Sequence, residues 1–447
     1  MVRSAIADDH LLTYLTDITR QNICVGLILG QSCLSKDYVI HFAKTPLYQS
    51  EEQKKEGLPA KQIKNISEVN EKWVADHAGH ATRMLPGGMY VLGIFVVSPE
   101  DLLSQFNPKI KGILTTIHKQ LEGISYLYGN ENTEKLVLNY CMKTEKYLAK
   151  SYDVNTLRVQ PVDFKFLPKA TKWINVECSY VIDQIYYLKT NEADWPLQKH
   201  IKGVLEDIDE NLQNSIFLFD GESKEGEESL ESIGKKKKAP RSTSSKSQSD
   251  SQDTKSMKVS IFQSCSSDPS KGDSLGVFQS ASQLRIVGQV ACELWLQPKI
   301  SINDASNAVK QDIMRSLSTR LEMHWDSLTE EENSEDINCV HEPPRRVLVT
   351  LPHSKITLSD YLFPGEGAQD AKISLEELLD VKIDGKLKIK DVEGQADISE
   401  YYSSGLESDS DEVLPKLPTD TNKFMYIVGL GVALLVLILS LLIHFYK

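Results

Sequence analysis

Residues Phe424 to Ile443 read FMYIVGLGVALLVLILSLLI, twenty consecutive residues without a charge. At about 1.5 Å per residue, such a helix reaches roughly 30 Å, the thickness of a bilayer's hydrocarbon core. A buried core helix keeps a polar stripe, and here Ser440 is the most polar residue. The segment therefore predicts one C-terminal transmembrane helix, with Tyr426 and the His444-Phe445-Tyr446-Lys447 end at the interfaces. Only four residues follow it, and the start, MVRSAIADDHLLTYLTDITR, lacks the apolar core of a signal peptide. The expected topology is a tail anchor with the bulk of the chain in the cytosol. The sequon Asn65-Ile66-Ser67 then lies on the side of the membrane where no glycan is added.

Before that span the chain reads as globular. Of its 447 residues 40% are apolar and 25% charged, enough apolar material for a core. The net charge of -13 argues against nucleic acid as a partner, because phosphate binding needs clustered Lys and Arg. Between Glu366 and Asn422 fifteen acids face six lysines, so most of the excess sits in one segment. The seven Cys are widely spaced and contain no CxxC, which fits reduced, mostly buried thiols rather than a disulfide framework or zinc site.

Hydrophobic periodicity divides the chain. Asp8 or Asp9 caps a first helix with Leu11, Leu15 and Ile18 on one face. Val25–Gly30, Asp37–Ala43, Met89–Val97, Leu136–Met142 and Trp173–Tyr187 read as strands. Ser67 is placed as the cap of a helix that carries Trp73, His77, His80 and Met84 on one face, before a Pro86-Gly87-Gly88 turn. Leu102, Leu103 and Phe106 read as helical. This predicts an α/β domain over residues 1–221. Residues 222–258, with four consecutive lysines and a Ser-rich tract, read as a disordered linker. A second, smaller α/β domain is expected over 259–367. It has a strand at Leu284–Gln297, a helix with Ala305, Val309, Ile313, Leu317 and Leu321 stepping by four, and strands at Arg345–Leu351 and Ile356–Leu362. Residues 368–423 read as an acidic tether leading to the span at 424–443.

Chemistry is hard to place. No P-loop, GxGxxG, GxSxG, HExxH or kinase signature occurs. His77 and His80 share a helix, but two His without a third protein ligand make a poor zinc site. The expectation is no catalytic residue, no metal and no cofactor.

Several blocks carry a family resemblance. They are Gly26-Leu27-Ile28-Leu29-Gly30, Trp73 with His77, and the run from Arg83 through Met84-Leu85-Pro86-Gly87-Gly88 to Phe95. Farther on stand Ala308 to Ile313, Arg345-Arg346-Val347-Leu348-Val349, Leu351-Pro352 and Asp360-Tyr361-Leu362-Phe363. With the terminal span, these resemble the odorant-response-abnormal trafficking family, the odr-four homologues. Met84, Leu85, Pro86, Gly87 and Gly88 form the candidate structural or partner motif. The GLILG strand, the Pro-Gly-Gly turn and VLGIF also resemble the MPN fold of metal-dependent deubiquitinating peptidases. On that frame Val96 and Ser98 stand at the two His ligand positions, Phe106 and Lys109 at the later Ser and Asp, and Asn22 or Ile23 at the catalytic Glu. Zinc catalysis needs three donors and an open position. The resemblance therefore implies an MPN-like scaffold that is not an enzyme.

The family resemblance implies a non-catalytic adaptor on the endoplasmic reticulum membrane. It implies help for seven-helix odorant-type receptors to mature and leave that compartment, and a partnership with the Cys peptidase specific for the ubiquitin-fold modifier. One rival is a hydrolase with an unrecognised site. Another is a tail-anchored fusion protein, which needs apolar heptads running into the anchor, where this chain has acids, Pro415 and Pro418.

Overall fold

The computed structural model describes residues 3–18, 23–60, 62–104, 106–123, 127, 132–234, 256–263, 279–330, 341–383 and 388–393. They belong to one compact unit, 1–396, while a second unit, 397–447, lies outside the described residues. The expected membrane span therefore lies outside them too, as does the linker from 235 to 255. Among the described residues, no helix is long and apolar enough to cross a membrane.

The first half alternates β1 (Ser4–Asp8), α1 (Asp9–Ile18), β2 (Cys24–Cys33), β3 (Lys36–Lys44), α2 (Glu51–Lys55) and α3 (Glu71–Met84). It continues with β4 (Tyr90–Ser98), α4 (Pro108–Glu122), β5 (Glu134–Cys141), β6 (Lys146–Asp153), β7 (Val159–Pro161) and β8 (Asp163–Leu167). These strands form a mixed sheet in the order β7-β6-β5-β4-β2-β3-β1-β8. Both faces of its centre are covered, which is why β2 and β4 read as continuous apolar runs. Leu27 and Leu29 pack toward α3 and α4, while Ile28 packs toward Leu11 and Leu15 of α1. Two helix starts differ from expectation. Asn65 caps a short turn that contains Ser67, so α3 starts later, with the Asn70 side chain accepting from the Trp73 N–H at 3.2 Å. Leu102 and Leu103 lie before the true cap, Asn107, and Pro108 occupies the first turn of α4, where its missing N–H costs nothing.

The second half comprises β9 (Ile174–Lys189), α5 (Leu197–Gln213), β10 (Ile216–Phe219), β11 (Met257–Phe262), β12 (Ser280–Leu296), α6 (Ile302–Glu330), β13 (Arg345–Thr350), β14 (Thr357–Leu362), α7 (Ala368–Leu379) and β15 (Ile389–Asp391). A four-stranded sheet runs β10-β11-β9-β12, and a three-stranded one β14-β13-β15. The class is mixed α/β, but the expected boundary near Gly221 does not separate two cores. β9 pairs with β12 from Ile174↔Leu296 to Lys189↔Ser280. Cys178 and Ile182 share a core with Val204, Leu205, Val309 and Ile313. Alternation along β9 reveals that one face is buried, not which strand will lie beside it.

Two further expectations need correction. The start of the supposed linker is ordered: Leu230 is fully buried, and its N–H donates to the Ile300 carbonyl at 2.8 Å. The start of the supposed tether is also structural. α7 buries Ala371, Leu375 and Leu379, a stripe stepping by four that is hidden in acidic composition. The carbonyls at its C-terminal end accept from His77 Nε2 (Leu378, 2.6 Å) and His41 Nε2 (Leu379, 2.7 Å). Tyr14 donates to Asp380 at 2.7 Å. These contacts fasten α7 to the N-terminal sheet.

β14 also carries a buried carboxyl group, Asp360, whose Oδ2 has no hydrogen-bond partner among the described residues. Burial pushes its pKa up to about 7, although the Tyr361 N–H and the Ser374 hydroxyl oppose the shift. A carboxyl with a raised folded pKa contributes most below the ordinary carboxylate range and loses that contribution as pH rises from there to about 7. Asp360→Asn should therefore gain stability over the native chain at pH 8.5 relative to pH 5, by up to about 3 kcal/mol. Denaturant unfolding of both proteins at the two pH values checks this; an unchanged difference would contradict it.

Candidate functional site

The Met84-Leu85-Pro86-Gly87-Gly88 motif connects α3 to β4, and all five residues are buried. Gly88 takes a positive φ of 78°, a conformation that L side chains resist. At Gly87 an added Cβ would lie 2.0 Å from the Ala308 carbonyl oxygen of α6. Helix and turn touch backbone to backbone there, so the position has no room for a side chain. The motif is therefore an internal joint and offers no partner surface.

Polar groups hold this joint. The Gly87 N–H donates to Asp312 Oδ1 at 2.7 Å, and the Gly88 N–H to Gln311 Oε1 at 2.9 Å. Gln31 Nε2 donates to the Gly88 carbonyl at 3.1 Å, and Gln31 Oε1 accepts from the Gln297 N–H at 2.8 Å. Arg315 donates through Nη1 to the carbonyls of Leu85 (2.8 Å) and Pro86 (3.0 Å). Arg346 on β13 grips Asp312 with two bonds of 2.7 and 2.9 Å, and its Nε donates to Ser359 Oγ at 2.9 Å. Burial alone would raise the Asp312 pKa. The Arg346 guanidinium, the Gly87 N–H and Cys292 outweigh it and hold the carboxyl below its ordinary value. Asp312, Arg315 and Arg346 are each 1% exposed, so the cluster has no opening through which a substrate could reach it.

The other sequence candidates do not converge. His77 is buried: its Nε2–H donates to Leu378, leaving Nδ1 to accept from the Thr45 hydroxyl at 3.1 Å. Burial lowers its pKa to about 4, so it is neutral. His80 is exposed, so the two do not face one ion. Val96 lies in the core. Ser98 donates to the Glu100 carbonyl at 2.6 Å and accepts from Asn139 at 2.9 Å. Phe106 stacks on Tyr152, and Lys109 pairs with Glu71 at 2.9 Å. Ile23 lines a cleft, and Asn22 lies outside the described residues. Among the described residues, no group of three or more His, Cys, Asp or Glu is arranged to hold a metal ion. Burial raises the thiols of Cys24 and Cys178 to about 12. Cys141 differs: burial opposes ionisation, but the Thr144 hydroxyl and the N–H groups of Thr144 and Lys143 together hold its thiol below the ordinary value.

The cleft has a volume of about 290 Å³, with Cys24, Lys44, Tyr48, Trp73 and Val74 among its walls. Trp73 is fixed by its indole N–H, which donates to the Pro46 carbonyl at 2.8 Å, and by Tyr48 packed edge-on. An apolar group fits between Val25, Ile63, Val69 and Val74, with Lys44 and Glu68 also on the lining.

Sequence reasoning assigned no role to Gln31, Gln311, Asp312, Arg315 or Arg346. The available signal was charge on an otherwise apolar helix face, since Asp312 and Arg315 adjoin Val309 and Ile313. Asp312→Ala leaves Arg346 buried without its counter-ion and should cost roughly 3–5 kcal/mol. Gly87→Ala should destabilise through overlap with the Ala308 carbonyl. Denaturant midpoints test both, and a loss of under about 1 kcal/mol would show that the joint is not needed.

Comparisons with known proteins match this framework along its length. The family model "ODR4-like: Odorant response abnormal 4-like" matches residues 26–389. The human "Protein odr-4 homolog" is 27% identical over 462 residues, covering 100% of this chain and 99% of that protein. The Drosophila melanogaster homologue is 26% identical, covering 99% of each. The Caenorhabditis elegans "Odorant response abnormal protein 4" is 23% identical over 372 residues, covering 79% of this chain and 72% of that protein. Among solved structures, "Crystal structure of UfSP from C. elegans" superposes with a TM-score of 0.44 at 12% identity, covering 86% of this chain and 58% of that one. The family match takes in both halves of the buried joint, and the chain belongs to the odorant response abnormal 4-like family.

Proposed function

We propose that this protein is a non-catalytic, membrane-anchored adaptor that helps membrane receptors of the seven-helix odorant type leave the endoplasmic reticulum. The observation that carries the reading is the family match over residues 26–389, together with a nematode relative named for an abnormal odorant response. The twenty uncharged residues from Phe424 to Ile443 supply the anchor, and the acidic stretch before them links it to the folded unit. On this reading the N-terminal sheet is an MPN-like scaffold, and the sequence resemblance puts Val96, Ser98 and Lys109 where ligands would stand. The family resemblance adds a partner, the Cys peptidase specific for the ubiquitin-fold modifier. Confinement to a membrane would raise that peptidase's effective concentration beside its targets.

The division of labour is that the anchor localises and the folded unit recruits. A glycosylation sequon appended after Lys447 should be modified, while Asn65, whose side chain accepts from the Ser67 N–H, should carry no sugar. Sugar on Asn65 would reverse the topology. Deleting Phe424 to Ile443 should move the protein from membranes to cytosol without loss of the co-precipitating peptidase. If that deletion abolished peptidase binding, or if the full chain captured no peptidase, the recruiting role would fall. Stoichiometric zinc, with hydrolysis lost on chelation, would favour the hydrolase reading instead.

A further inference from the structure

We propose that the outer face of the four-stranded sheet is an interface between two copies of this chain. One face of the sheet packs on α5 and α6 through Cys178, Tyr180 and Ile182. The other presents large apolar side chains to solvent: Val181 (70% exposed), Ile216 (62%), Tyr187 (57%), Phe262 (55%), Ile185 (46%) and Val287 (38%). They are not scattered. Side chains alternate along each strand, and residues opposite one another share a face. Val181 is opposite Gln289, Asp183 opposite Val287, and Ile185 opposite Arg285. On the neighbouring strands, Lys258 lies beside Glu177 and Ile216 opposite Phe262. The six residues therefore form one patch that crosses all four strands.

The size of the patch calls for a cover. At those exposures it amounts to roughly 600 Å² of apolar surface, the upper end for a typical monomer. The polar residues between them bring the face near the roughly 800 Å² per partner of a stable interface. The end of the face nearest β13 is already closed, where Lys390 of β15 pairs with Glu293. The rest lies open among the described residues.

Charge selects the occupant. The open face carries Lys258, Arg285 and Lys189 against Glu177 and Asp183, and Lys189 is offset by Glu192 at 3.8 Å, so the charges balance. Arg285 holds Asp183 through two bonds of 3.0 and 3.1 Å within the same copy. A phosphate-rich or strongly acidic or basic partner finds no complementary field here. A second copy related by a two-fold axis meets an equal mixture of signs, and the Asp183–Arg285 pair arrives already made. Two such faces can stack as aligned sheets about 10 Å apart.

Two-fold symmetry also doubles every substitution. Val181→Glu with Ile185→Glu would put four carboxylates into the interface, while both sites lie in solvent in the single chain. The test is light scattering of full-length protein in non-ionic detergent, with detergent mass subtracted. The native chain should have the mass of two copies, and the double variant should fall to one at the same concentration. Val181→Ser should weaken self-association in the same direction, with an unchanged thermal midpoint showing that the fold is intact. Leu34→Asn, which removes a still more exposed apolar side chain from the β2–β3 turn, should leave the dimer in place. A native chain of single mass, or a dimer that survives Val181→Glu/Ile185→Glu, would overturn the proposal. So would a monomer whose sheet face is protected only in a complex with a different protein.

Discussion

The ion pair between Asp312 and Arg346 fixes how the two halves of this protein meet. Asp312 projects from α6 and accepts from both the Arg346 guanidinium and the Gly87 N–H. One carboxylate therefore joins a helix, a strand of the three-stranded sheet, and the turn that feeds the central strand of the eight-stranded sheet. Its two oxygens are spoken for on three sides, and the arrangement tolerates little displacement. Gly87 is required because the α6 backbone approaches where a Cβ would stand, and that approach puts the Gly87 N–H within reach of Asp312.

Such a pair adds little net stability compared with a well-packed apolar substitute, because two charges must first leave water. Its contribution is to fix the register. A wholly apolar contact between α6 and the turn would let the helix slide by a residue or turn slightly at small cost. A bidentate bond, an amide from Gly88 to Gln311, and the Arg315 bonds to Leu85 and Pro86 accept only one setting. That setting positions Trp295 and Leu351 in the core beneath the main sheet, and Leu294 and Leu296 in the core around α6. Two hydrophobic cores are thus held in one alignment by a polar joint between them.

Much of the local structure was legible in the sequence. The strands at Val25–Gly30, Met89–Val97 and Leu284–Gln297 and the four-residue stepping along α6 stand out because burial imposes a period that neighbouring residues reveal. What lay beyond reach was pairing. β1 is five residues long and acquires its meaning from lying parallel between β3 and β8. β9 and β12 sit on opposite sides of a Ser- and Lys-rich stretch that reads as a boundary, and composition says nothing about strands meeting across it. α7 was lost for a related reason: its acids face outward and set the average, while Ala371, Leu375 and Leu379 do the packing. The MLPGG motif was recognisable, but not its burial, because turn residues of that kind are usually on the surface. Arg346 and Asp312 gave no sign of partnership, since charge on two elements shows only that each must find a partner if buried.

The joint also constrains when this chain can become functional. Gly87 waits for Asp312, 225 positions later, and His77 waits for Leu378, 301 positions later. Until α6, β13 and α7 exist, the α3–β4 turn has unpaired amides and the core face of α3 has no cover. Contacts of such long range form late, because loop closure must precede the interactions that reward it. The N-terminal sheet therefore cannot finish as an independent module while the rest is being made. Glu393, the last of the described residues, bonds to Arg320 of α6 and to the Arg346 N–H of β13. Completion of the fold therefore waits for the segment around residue 393. Truncation anywhere before residue 393 would remove the partner of a buried arginine, rather than merely shorten a tether.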